Sequence, residues 1–146
     1  MNKFFAIALT ALSLTALATD DALDCERAIS TMDINQCALE ELYLAESEME
    51  HYLEASYQHN DYDPELIAAI KTAQKAWAAY RTSHCDSVYT QWRDGTIRGV
   101  MGISCQTALT QQRTHEVWRH FLTYMDSTPP VLPEPGVSRD LGGKTH

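Results

Sequence analysis

The places where this chain could do chemistry are few, and each fails on spacing or surroundings. His115-Glu116-Val117-Trp118-Arg119-His120 has the outline of the zinc-protease helix H-E-x-x-H, but its second histidine stands five residues on instead of four. At about 100 degrees per residue that turns the two imidazoles about 140 degrees apart on a helix, so they cannot share one metal. Glu46, Glu50 and Glu54 recur every four residues and fall on one helical face, the arrangement of a carboxylate pair. General acid catalysis needs one such carboxyl buried, and a run this polar predicts a solvated face. Gly99-Val100-Met101-Gly102-Ile103-Ser104-Cys105 lacks the G-x-S-x-G of a nucleophile elbow, and its cysteine is expected to be oxidised. The reading is a binding protein, with no catalytic residue, no metal site and no cofactor.

Cys25, Cys37, Cys85 and Cys105 are the chemistry that remains. They are even in number and none forms a C-x-x-C pair, which predicts two structural disulfides and an oxidising compartment. Cys25 with Cys37 and Cys85 with Cys105 is the expected pairing, because each closes a short loop worth about 3 kcal/mol of chain entropy. Cys37 with Cys85 is the alternative.

The N-terminus agrees with export. Lys3 gives a positive start, Phe4 to Leu14 an apolar stretch, and Ala16-Leu17-Ala18 a small-residue cleavage pattern, so residues 1–18 read as a signal peptide. No later run is long and apolar enough to span a membrane, which predicts no membrane insertion once the leader is removed and a periplasmic or secreted location. The charge is uneven. From Asp20 to Glu65 there are fourteen acidic residues against one base, Arg27, whereas Leu66 to Asp126 holds four acids and seven bases. An acidic front half excludes nucleic acid, which demands clustered cations, and favours a basic protein partner.

The elements that must position these residues are helices. Ala38, Leu42, Ala45, Met49 and Tyr52 step by four and three, predicting one buried face on a helix from Ile34 to Gln58. Asp63-Pro64-Glu65 supplies a carboxylate cap, a proline at the first helical position and an acid in the first turn. The second helix should run from Pro64 to about Tyr89, with Leu66, Ile70, Ala73, Trp77, Tyr80 and His84 as its stripe. Trp77 and Tyr80 are therefore expected in the core. Arg81 beside them would be an ion-pair partner for the first helix or a recognition residue. Asp94-Gly95 should end that helix, Gly99 and Gly102 should keep the backbone loose, and Ser104 should cap a third helix ending near Asp126. Residues 127–146, rich in proline and glycine, read as a disordered or extended tail after a domain at 19–126. The fold class is all-α: an antiparallel helical hairpin plus a third helix, stapled by two disulfides.

Ala73-Gln74-Lys75-Ala76-Trp77-Ala78-Ala79-Tyr80-Arg81-Thr82-Ser83-His84-Cys85 resembles the signature of the lysozyme inhibitor LprI-like family of small secreted bacterial domains. Asn35-Gln36-Cys37-Ala38 upstream, and Gly95-Thr96-Ile97-Arg98, Ser104-Cys105, Leu109-Thr110 and Arg113 downstream, follow the family's order over about residues 25 to 122. Glu46 and Glu50 depart from it, standing where the family has an aspartate and an asparagine, and Met49 replaces a leucine. The resemblance implies a disulfide-bonded helical fold and inhibition of a basic lysozyme-type glycosidase. The alternative is an envelope structural, assembly or adaptor protein using a helical face. If the chain is an inhibitor, the segment from Trp92 to Ser104 is expected to meet the enzyme's cleft, with Arg93, Thr96 and Arg98 as candidate partner-binding residues. Arg93 and Arg98 could oppose the paired carboxylates of a retaining glycosidase.

Overall fold

A computed structural model describes residues 23–136; the expected signal peptide and the segment 137–146 lie outside them. Three α-helices, α1 (Thr31–His59), α2 (Pro64–Gln91) and α3 (Arg98–Phe121), follow a short 3-10 turn at Cys25–Arg27, and no strand occurs among the described residues. The all-α expectation holds.

Local chemistry sets the boundaries. The Ser30 side chain accepts from the Asp33 amide at 3.1 Å, so α1 begins at Thr31, three residues before the expected start at Ile34. Asp63 caps α2 by accepting from the Leu66 amide at 3.0 Å, with Pro64 in the first turn as its type dictates. Between them Asn60, 6% exposed, donates from its side chain to the Ser56 carbonyl at 2.7 Å and the Phe121 carbonyl at 3.4 Å, fixing the hairpin turn to the end of α3.

The two long helices run antiparallel. Glu46 of α1 pairs with Arg81 of α2, Met49 meets Gln74, and Tyr57 lies under Lys71, so positions rise along one helix as they fall along the other. The most extensive backbone contact is nevertheless between α1 and α3, and α2 packs mainly on α3. The core gathers Met49, Tyr52, Leu53, Ile70, Val117 and Leu122, with Trp77, Trp118 and Leu132 half-buried against it.

Several sequence expectations are corrected. Tyr80 is not core: it is 54% exposed, stacked on His84 at 5.5 Å between ring centroids. Ala73 and His84 also face solvent, because α2 buries only Ile70 and Cys85 and leans on α3 along a narrower line than the stripe suggested. The third helix, expected to end near Asp126, stops at Phe121, and Met125 is fully exposed beyond it. α3 does not start at a Ser104 cap but at Arg98, and Gly99 and Gly102 lie inside it. Their role is close approach: a Cβ on Gly99 would sit 2.8 Å from Asn35 Oδ1, and one on Gly102 would sit 3.4 Å from the Tyr89 Cβ. Packing against α1 and α2 outweighs the helix-breaking tendency of glycine.

The chain after α3 was expected to be disordered or extended. Residues 127–136 take no regular secondary structure, with bends at 127 and 131–132 and a turn at 135–136, and form a strap laid back over α1 and α3. The Thr128 hydroxyl and then its amide hold the Asp126 carboxyl below the usual carboxylate range where the strap turns. Further along, the Val131 amide donates to Leu122 O at 2.9 Å, Trp118 Nε1 to Leu132 O at 2.9 Å and the Tyr52 hydroxyl to Pro133 O at 2.7 Å. His115 Nε2 lies 2.8 Å from Glu134 Oε1. Proline-rich backbone offers carbonyls but few N–H groups, so apart from the Val131 amide the donors come from the helices.

Candidate functional site

Cys25 is bonded to Cys37 and Cys85 to Cys105, so all four cysteines are structural and no free thiol remains. Cys85, 2% exposed, ties the last turns of α2 to the second turn of α3. The segment between them is shorter than expected: α2 ends at Gln91 and helix resumes at Arg98, leaving a tight turn over residues 92–97. Successive amides close it, Arg93 to Thr90 O at 3.2 Å, Gly95 to Trp92 O at 2.9 Å and Arg98 to Gly95 O at 3.4 Å.

Arg93 stands exposed on this turn and Arg98 stands exposed at the first position of α3. Arg93 donates from Nη1 to the Thr90 carbonyl at 3.3 Å, and Arg98 from Nη1 to the Arg93 carbonyl at 3.1 Å. Each guanidinium thus spends one N–H on backbone. Neither forms an ion pair with a carboxylate among the described residues. Thr96 and Arg98 also line a cleft of about 510 Å³ with Thr31 and Asn35 of α1, Tyr89 of α2 and Asp94. Arg93 is not part of that lining. The Asn35 Oδ1, pressed on Gly99, is a buried acceptor with no hydrogen-bond partner among the described residues. Spacing alone did not single out Asn35; the contact exists only because α3 begins early enough to bring Gly99 beneath it.

Trp77 and Arg81 form a separate structural knot. Arg81 donates from Nη1 to Glu46 at 2.7 Å and to the Thr110 hydroxyl at 2.8 Å, and its guanidinium lies 5.1 Å from the Trp77 ring centroid. With its side chain 16% exposed, Arg81 links all three helices, one of the two roles the sequence left open. The pairing removes Glu46 from any carboxylate pair with Glu50, and Glu54 accepts from Gln58 at 2.9 Å in solvent. The described residues hold no cluster of three or more side chains able to bind a metal ion.

A third feature lies on the outer face of α1. Met32, Leu39, Tyr43 and Leu44 are 77%, 47%, 71% and 66% exposed. Leu39, Tyr43 and Leu44 border a shallow depression of about 440 Å³ with Gln36 and Glu40. Beside it, Glu41, Leu44, Glu48 and His51 line a second cleft of about 580 Å³, bounded on its far side by Leu132 and Pro133 of the strap. These apolar residues are interspersed with Glu40, Glu41 and Glu48 off the buried stripe of α1, so spacing alone does not single them out.

A family model described as Lysozyme inhibitor LprI matches residues 24–117, a span holding both disulfides and the 92–97 turn but stopping short of the strap. The uncharacterized protein R02472 of Rhizobium meliloti (strain 1021) is 30% identical over 105 residues, 64% of this chain and 76% of that one. No solved structure matches the chain.

Proposed function

The chain belongs to the LprI lysozyme inhibitor family, and from that premise we propose that it is an exported inhibitor of a lysozyme-type glycosidase and not an enzyme. Two disulfides support an oxidising compartment, periplasmic or extracellular. No helix among the described residues is long and apolar enough to cross a membrane.

The observation that carries the mechanism is the pair of exposed cations on the 92–98 turn. A retaining glycosidase holds its two carboxyl groups about 5–5.5 Å apart in an open cleft. Inserted there, Arg93 and Arg98 would form charge-assisted hydrogen bonds to those carboxylates and occlude the position of the sugar, with Thr96 between them as a hydrogen-bonding partner. The turn is held by helices on both sides and by Cys85–Cys105 below, so little freedom is lost on docking.

Inhibition of egg-white lysozyme on cell walls by the purified protein is the direct test. Replacing Arg93 and Arg98 together by alanine should weaken inhibition at least tenfold, about 1.4 kcal/mol, at an unchanged melting temperature. A double variant that inhibits as well as the parent would remove the turn from the mechanism. If the parent leaves lysozyme untouched yet captures an envelope protein, the assembly or adaptor reading replaces this one.

A further inference from the structure

We propose that the depression on the outer face of α1, walled by Leu39, Tyr43 and Leu44, is the docking surface that holds the basic enzyme partner, receiving an apolar side chain flanked by lysine or arginine. The inference rests on the lysozyme-type reading and adds a second element to it: the arginine turn blocks, and α1 binds.

The face is unusual for a helix that already has a buried side. Ala38, Leu42, Ala45, Met49 and Tyr52 satisfy the core, which leaves no folding reason for large apolar residues opposite them. Leu39 and Tyr43 are nevertheless one helical turn apart on the same line, and Met32 stands two turns before Leu39. Leu44 rises on the other side of Glu40. Such a contiguous exposed patch with a polar rim marks an interaction site. Its shape is held before binding: the walls stand on helical backbone, Gln36 Nε2 donates to Glu40 Oε1 at 3.3 Å across the floor, and Cys25 Sγ of the first disulfide lies 4.0 Å from Glu40 Oε2.

Charge decides the occupant. α1 carries Asp33, Glu40, Glu41, Glu46, Glu48, Glu50 and Glu54 and no lysine or arginine. Glu46 is engaged by Arg81, while Glu40 sits in the floor and Glu41 and Glu48 line the adjoining cleft with Leu44. An anionic partner is repelled there. A second copy of this chain on a two-fold axis would bring the acidic face against itself, which disfavours self-association through this surface. A cationic partner is steered to the face and an apolar side chain then seats in the depression.

The test compares full-length exported protein carrying Leu39→Ser with Tyr43→Ser, or Leu44→Lys alone, with the parent for binding to egg-white lysozyme. All three positions are exposed, so melting temperatures should match the parent; Leu44→Lys adds a cation to the patch without touching the core. The expected result is a Kd at least tenfold weaker for either variant. Glu40→Gln with Glu48→Gln should slow association and flatten its salt dependence. Arg93→Ala with Arg98→Ala should lose more inhibition than binding, whereas the α1 variants should lose both in step. A parent that does not bind lysozyme overturns the lysozyme reading and this surface together. A parent that binds while the α1 variants bind equally well overturns this surface alone, as does a parent dimer that the same substitutions dissociate.

Discussion

α1 and α3 face each other across the core with different material. α1 lays down Ala38, Leu42, Ala45, Met49, Tyr52 and Leu53, almost all hydrocarbon. α3 answers with Thr107, Thr110 and Thr114, then Val117, and Leu122 just past its end. The threonines are buried to 8%, 0% and 1% exposure. Each hydroxyl donates to the carbonyl four residues back: Thr107 to Ile103 at 3.2 Å, Thr110 to Gln106 at 2.7 Å and Thr114 to Thr110 at 3.0 Å. A hydroxyl satisfied within its own helix leaves the methyl group to meet the opposite face, so a polar residue type serves as core filler. Their small size also suits the close approach of α3 to α1, as does Gly99 at its start, while Gly102 allows the same toward α2.

Breaking the hydrocarbon side should have the largest effect. Met49→Ala removes a side chain that is 7% exposed and shared between α1 and the rest of the cluster, and should cost roughly 2 to 5 kcal/mol. Urea unfolding measures it, and a cost under about 1 kcal/mol would mean that the core collapses to refill the space.

The same contrast explains what could be read from the sequence. The α1 stripe was legible because its buried residues are apolar and its period is clean, and the start of α2 was legible because Asp63-Pro64 acts locally. α3 was misread at its start because glycine signals looseness unless the neighbour that needs its missing Cβ is known, and Asn35 lies more than sixty residues away in the chain. Its buried threonines, Thr107, Thr110 and Thr114, were passed over because they have the right period in the wrong residue type. Tyr80 was misplaced because the α2 stripe was continued past Trp77 along apolar letters, whereas the packed line turns through Arg81 to Cys85. The strap was read from composition, which says that a proline-rich segment makes no helix but not that Trp118 and Tyr52 wait with donors. For the candidate site, type and position pointed to Arg93, Thr96 and Arg98, which the fold leaves exposed, while the proposed α1 depression needed knowledge of which face was already buried.

Where a threonine has a tertiary partner, the cost should be intermediate. Thr110→Val takes the acceptor from Arg81 Nη1 and sets a methyl group against a guanidinium that is largely buried, an expected loss of about 1 to 3 kcal/mol. Arg81→Met alone leaves Glu46 half-exposed and able to hydrate, so it should cost no more than that. In the double variant the two losses should not add, because removing both partners leaves neither stranded. A double-mutant cycle in urea reads the coupling, and strict additivity would show that Arg81 is held by Glu46 and Trp77 without help from α3.

The smallest effect should come from Thr114→Val, which sharpens the comparison by asking whether a core hydroxyl without such a partner matters at all. The Thr114 hydroxyl donates only within its own helix, to the Thr110 carbonyl, and the side chain is 1% exposed. Valine keeps the branched shape and the methyl that faces α1. It gives up one local hydrogen bond, a net term of about 1 kcal/mol, and gains a second buried methyl worth about 0.8 kcal/mol by transfer. The carbonyl left behind still accepts in the helix ladder, so no buried group is orphaned. Helix propensities of the two residues are close. The terms nearly cancel, and the unfolding free energy should move by less than about 1 kcal/mol in either direction, against several for Met49→Ala. A loss above about 2 kcal/mol would mean that the hydroxyl is needed for more than local satisfaction, and that α3 is polar for a reason its own backbone does not supply.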